Sequence, residues 1–277
     1  PGQDADASRQ KVEMTISRAT ADQLQAAGIS KFTVFLYHLN RREYIPYEDA
    51  ANGIVFPLEF DATQGSATLN FPLGESYMTF AVANVDSEDI ENPADFENVT
   101  VRIDPVAKTD VWISTPTRFA SDKSFSTLDI TLRRMIAAVD FQAAETTADL
   151  TAAGDFDRLD LTFSDIATSY KVNGGSVEGS SLTLSVDAAS DFKAGFTTFP
   201  TTTLENASTL VIDYFKGADK VNTSASPLET SVKYEATRHY TMTVPVTQPD
   251  FVETPWRSAA LVPAGARMKV TVDVTTF

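Results

Sequence analysis

The chain has 277 residues, no cysteine and a formal net charge of −16. That length suits one large β domain or two ordinary ones, each able to hold a core without a covalent staple. The missing thiol excludes disulfide-braced scaffolds and cysteine chemistry, while the acidity opposes phosphate backbones and anionic membranes, so no nucleic-acid partner is expected.

In chain order, residues 1–10 (PGQDADASRQ) are polar and lack the apolar segment of a signal peptide. The expectation is that an export signal precedes Pro1. Val12, Met14 and Ile16 alternate with polar residues and form a first strand. Thr20–Gly28 is a short helix candidate, with Thr20 as N-cap, Gln23 at the third position and Gly28 as the stop. Phe32–Leu39 is apolar on both faces and reads as a central strand. Arg41–Tyr47 is a polar turn with a short edge piece carrying Pro46.

Three period-two patterns follow: Phe56, Leu58, Phe60; Leu69, Phe71, Leu73; and Met78, Phe80, Val82. Gly65 and Gly74 punctuate them. An acidic loop, Asp86–Asn98, precedes Val99, Val101 and Ile103, and Val111–Ser114 closes the block. The polar stretch Pro116–Lys123 is the expected boundary between an N-terminal domain, 1–118, and a C-terminal domain, 119–277.

Mid-chain, Leu128, Ile130 and Leu132 alternate with Asp129, Thr131 and Arg133; after Arg134 the apolar residues resume one position out of phase, at Met135, Ala137, Val139 and Phe141. Such a slip turns a strand inside out unless a bulge absorbs it, so this segment reads as one long, bent or bulged strand. The second half repeats the plan. Leu159, Leu161 and Phe163 alternate; Leu182, Leu184 and Val186 follow the Asn173-Gly174-Gly175 turn; Thr209–Phe215 ends at Gly217. Tyr240, Met242, Val244 and Val246 share a face, and Met268, Val270, Val272 and Val274 form the last strand. The expected fold is all-β, two tandem sandwiches with one or two short helices.

Chemistry is sparse. The two histidines, His38 and His239, sit in strand patterns, as satisfied side chains rather than a metal pair. Asp86, Glu88, Asp89 and Glu91, and likewise Asp155, Asp157 and Asp160, read as solvated loops without EF-hand spacing. No G-x-S-x-G or P-loop pattern occurs, and no catalytic residue, metal or cofactor is expected. A hydrolase using carboxylates from distant strands is the reading that local motifs cannot address. Trp112 reads as core; Trp256 lies in a loop context and with the tyrosines offers a surface for sugar stacking. Asn98, Asn206 and Asn222 open N-x-S/T triplets of the kind expected by chance.

Phe32-Thr-Val-Phe-Leu-Tyr37, Leu132-Arg-Arg-Met-Ile-Ala-Ala-Val-Asp140 and Arg238-His-Tyr-Thr-Met-Thr-Val244 together resemble the fimbrillin family of type V pili. The last two look most like its anchor-like lipoproteins. The resemblance covers nearly the whole chain, in pattern more than in identities. It implies two transthyretin-like, Greek-key sandwich domains and a non-enzymatic pilus subunit, with an anchor or accessory role preferred. Its partners would be other pilus subunits through strand addition, and the outer membrane through a lipidated residue ahead of Pro1.

It also implies cleavage after a basic residue near the first strand; Arg9, Lys11 and Arg18 are available. A donated strand supplies backbone hydrogen bonds and alternate apolar side chains. Met268, Val270, Val272 and Val274 fit that pattern, as do Val12, Met14 and Ile16. The alternative function is a surface glycan-binding lipoprotein.

Overall fold

The computed structural model describes residues 9–16, 26–50, 53–61, 66–121, 127–177, 179–201, 209–227, 233–247 and 271–276. Its contacts define two units. Unit 1 holds Pro1–Ile103, Thr109–Met135 and Tyr170–Gly175; unit 2 holds Asp104–Lys108, Ile136–Ser169 and Ser176–Phe277. Both are β-sandwiches, as the alternating sequence requires.

The strands of the first half are β1 (Arg9–Ile16), β2 (Lys31–Asn40), β3 (Glu43–Pro46), β4 (Glu48–Asp49), β5 (Ile54–Val55), β6 (Leu58–Asp61), β7 (Ser66–Pro72) and β8 (Ser76–Ala83). They continue with β9 (Ile90–Glu91), β10 (Thr100–Arg102), β11 (Trp112–Ser114), β12 (Thr117–Ala120), β13 (Thr127–Ile130) and β14 (Leu132–Arg134). One sheet runs β14-β11-β8-β2-β3, with β12 also on β8 and β6 also on β2; a second runs β13-β1-β7. Strand β2 is central, as its two-sided apolar pattern predicts. Phe32, Val34 and Leu36 pack into a core with Phe71, Tyr77, Leu128 and Ile130. Phe35 and Tyr37 point the other way, where Phe35 stacks on Phe80 at 4.5 Å and Tyr37 meets Phe96 at 5.6 Å.

The second half adds β15 (Ala137–Ala143), helix α1 (Thr147–Ala153), β16 (Arg158–Ile166), β17 (Ser169–Lys171), β18 (Gly175–Val177), β19 (Ser180–Asp187) and β20 (Lys193–Thr198). Strands β21 (Thr209–Lys216), β22 (Asp219–Pro227), β23 (Arg238–Val244) and β24 (Thr271–Thr276) complete it. Two four-stranded sheets, β20-β15-β23-β24 and β19-β16-β21-β22, face each other. Val139, Phe141, Phe196 and Met242 from one interdigitate with Leu161, Phe163, Ile212 and Tyr214 from the other. This is the layered core that alternating apolar residues build when every second side chain points inward.

The mid-chain segment differs from its sequence reading. It is not one bulged strand but three short ones in three sheets: β13 beside β1, β14 beside β11, and β15 in unit 2. The phase slip marks the place where the chain leaves one core and enters the next. Ile136 and Ala137, adjacent and both buried, are its signature. A period-two pattern reports which face is covered; it does not report that the covering sheet has changed.

Helix α1 lies where the sequence pattern predicts no element. The Thr146 hydroxyl caps it by accepting from the Asp149 amide at 3.2 Å, and Gly154 ends it at φ +72°. The helix expected over Thr20–Gly28 lies largely outside the described residues; Gly28, its expected stop, does take a left-handed φ of +72°.

Candidate functional site

The strands singled out as exchangeable both pair within the chain. Strand β1 lies between β7 and β13, antiparallel to the first and parallel to the second. Met14 is the register partner of Ala67 on one side and Leu128 on the other; Val12 is the register partner of Leu69, and Ile16 of Ile130. Leu128, Ile130 and Phe71 are buried beside it in the unit 1 core. Because β1 is the middle strand, both its edges are hydrogen-bonded. Withdrawing it would leave two facing ladders of unpaired backbone groups, on β7 and β13. Arg18 lies outside the described residues, as do Met268 and Val270.

Strand β24 holds Val272 and Val274, register partners of Met242 and Tyr240 on β23. It is the outermost strand of its sheet, so only one of its edges is paired among the described residues. Its neighbour β23 is well anchored. Met242 and Val244 are fully buried, and the Tyr240 hydroxyl donates to the Lys233 carbonyl at 2.9 Å and accepts from the Glu235 amide at 2.9 Å. Burial pushes the Tyr240 hydroxyl above the ordinary tyrosine range.

The two units share a local plan. In unit 1, the first strand β1 is flanked by antiparallel β7 and parallel β13; in unit 2, the first strand β15 is flanked by antiparallel β20 and parallel β23. Unit 2 then carries β24 beyond β23. The sequence carried no local signal for the walls of the β1 slot, because a parallel pair between residues 13 and 127 leaves no turn to read.

The remaining candidates resolve into structural roles. His38 Nε2 lies 2.9 Å from Glu75, and His239 Nε2 lies 2.7 Å from Asp140. Asp86 pairs with Lys31 at 2.6 Å and Glu91 with Arg102 at 2.8 Å. Asp157 accepts from the Gly217 amide, and Asp160 binds Arg158 and Ser185. Among the described residues no three acids or histidines gather as metal ligands. Trp112 packs against the unit 1 core under the Arg134 guanidinium, 5.1 Å from its ring centre; Trp256 lies outside the described residues.

No family model and no curated protein matches the sequence. Solved structures do. A candidate cell adhesion protein from Parabacteroides distasonis aligns with a TM-score of 0.56 at 8% identity, over 98% of this chain and 99% of that one. A candidate polysaccharide-binding protein from Bacteroides thetaiotaomicron aligns with a TM-score of 0.54 at 13% identity, over 86% and 92% of the two chains. The likeness is one of fold. A C-terminally truncated tip fimbrial protein from Porphyromonas gingivalis also aligns, over 97% and 100%, at 11% identity and a TM-score of 0.47, too loose for residue-level comparison. The first two matches show the fold alone, an all-β architecture of the kind the alternating sequence predicts.

Proposed function

We propose that this chain is a structural, non-enzymatic cell-surface protein, a fimbrillin-like pilus subunit that assembles by strand addition and supports cell adhesion, with an anchor or accessory role preferred over the stalk. The observation that carries the reading is the position of β1. It is a central strand held from both sides by β7 and β13, which contribute Phe71, Leu128 and Ile130 to the unit 1 core. Cleavage beside it would open a slot complementary to an extended apolar donor. Strand β24, at a sheet edge near the C-terminus, is the donor in this scheme. The end-to-end likeness to a candidate cell adhesion protein agrees with a surface role. Tethering to the outer membrane through a lipidated residue ahead of Pro1 belongs to the same proposal.

The test is deletion of Met268–Phe277 in cells that assemble pili. Loss of incorporation with a folded core supports donation; unchanged assembly and anchoring overturn it. A second reading, glycan binding, draws on the likeness to a candidate polysaccharide-binding protein.

A further inference from the structure

A groove of about 440 Å³ opens in unit 1 between the start of β3 and the turn at residues 94–97. Arg42, Glu43 and Tyr44 line one side; Asp95, Phe96 and Glu97 line the other. The half-exposed Tyr44 ring meets the buried Phe96 ring edge-on at 5.1 Å, a contact that holds the tyrosine in place. That volume lies in the range of small-ligand sites and holds one or two sugar rings.

Both walls are held in place. Asp95 accepts from the Glu97 amide at 3.1 Å and from the Asn98 side chain at 2.7 Å. Asn173 donates to Glu97 at 2.6 Å, Lys171 donates to Asn98 at 3.0 Å, and the Tyr37 hydroxyl ties down the Pro93 carbonyl at 2.8 Å. Opposite, Arg41 and Arg42 make the two-residue turn joining β2 to β3, at φ +49° and +82°. Turns of this kind favour Asn-Gly, because a side chain crowds the backbone at positive φ. Two arginines occupy these positions, and the turn sets the exposed Arg42 on the groove rim. Strained backbone tolerated at a cleft is where binding residues concentrate.

We infer that this groove binds a neutral saccharide segment of one or two residues. A pyranose offers an apolar C–H face and a rim of hydroxyls. It needs an aromatic face to rest on, with planar donors and acceptors around it; Tyr44, Arg42, Glu43, Asp95 and Glu97 supply these. Three carboxylates against one lining arginine, in a chain of charge −16, disfavour an acidic glycan. Peptide addition is a poor fit, because β3 has only four residues and ends in Pro46. The inference rests on the adhesion reading above and names its ligand class.

The test uses the full chain against an array of neutral and acidic oligosaccharides, followed by calorimetric titration of the best neutral disaccharide. Tyr44→Ala is expected to weaken binding about tenfold or more, Tyr44→Phe to keep it within about threefold, and Glu97→Gln to weaken it about fivefold. Thermal melts establish that each variant is folded. Absence of any neutral hit, acidic glycans as the only hits, or undiminished binding by folded Tyr44→Ala overturns the inference. Incorporation of Tyr44→Ala into pili is scored in parallel. Assembly without glycan binding by the unsubstituted chain removes this site and leaves the pilus role standing.

Discussion

His239 and Asp140, 99 positions apart in the chain, meet at 2.7 Å on unit 2. They lie on parallel neighbours β23 and β15, and Lys108 reaches the other Asp140 oxygen at 3.3 Å. The room for this cluster comes from Gly195, the register partner of Asp140 on β20. A Cβ there would collide with both the Asp140 carboxylate and the Lys108 amine.

Gly195→Ala is therefore expected to destabilise unit 2 by about 1 kcal/mol. Overpacking costs about 1–3 kcal/mol, and the stiffer unfolded chain returns about 0.5–1. The ion pairs are partly exposed, with Lys108 and Asp140 side chains 51% and 42% accessible, so Asp140→Ala alone is expected to cost about 1 kcal/mol or less. Urea unfolding of the two single variants and the double variant checks this. The Gly195→Ala penalty is expected to shrink once Asp140 is alanine.

Phe141 is 2% exposed between the two sheets of unit 2. Phe141→Ala is expected to cost about 3–5 kcal/mol, the sum of lost transfer energy and a cavity that the rigid ladders cannot close. Val221→Ala, at a site 43% exposed on the edge strand β22, is expected to stay within about 0.5 kcal/mol. Denaturant midpoints at constant slope read both.

Tyr37 sets an alkaline limit on unit 1. Burial holds its hydroxyl protonated above the ordinary value of 10.0. At pH below 10 both folded and unfolded states keep the proton, and no stability is lost. As pH rises past 10 the unfolded chain releases a proton that the native state retains, so stability falls with pH. Tyr37→Phe lacks the hydrogen bond to the Pro93 carbonyl and is expected to be about 1 kcal/mol less stable near pH 8. That deficit is expected to narrow or reverse above pH 10 in equilibrium unfolding. A constant deficit across the range would contradict the assignment.

Helix α1 offers a local test. Thr146→Ala removes the acceptor for the Asp149 amide and is expected to cost about 1 kcal/mol, while Thr146→Ser retains most of the cap. Amide exchange at Asp149 is expected to speed up in the first variant alone.

Local pattern reached as far as local physics does. Phe32–Leu39 announced a strand covered on both faces, and β2 sits inside its sheet with Phe32 and Val34 in one core and Phe35 and Tyr37 on the opposite side. Tyr240, Met242 and Val244 shared a face in the sequence and share a core in the structure. Leu128–Phe141 misled, because alternation measures burial and is silent about which sheet provides it. The groove beside Tyr44 was invisible for a related reason: Glu97 is held by Asn173, 76 positions away.

Residue order along the chain specifies the class of building block: strands of period two, an acidic surface and cores without thiols. Side-chain alternation and solvation act over a few residues, so they are written locally. Long-range pairing is what clasps β1 between β7 and β13, puts β24 at an edge and brings Asp140 to His239. Those outcomes depend on pairing between distant strands, where the backbone hydrogen bonds are the same for every residue type and register is chosen by the cores that close around them.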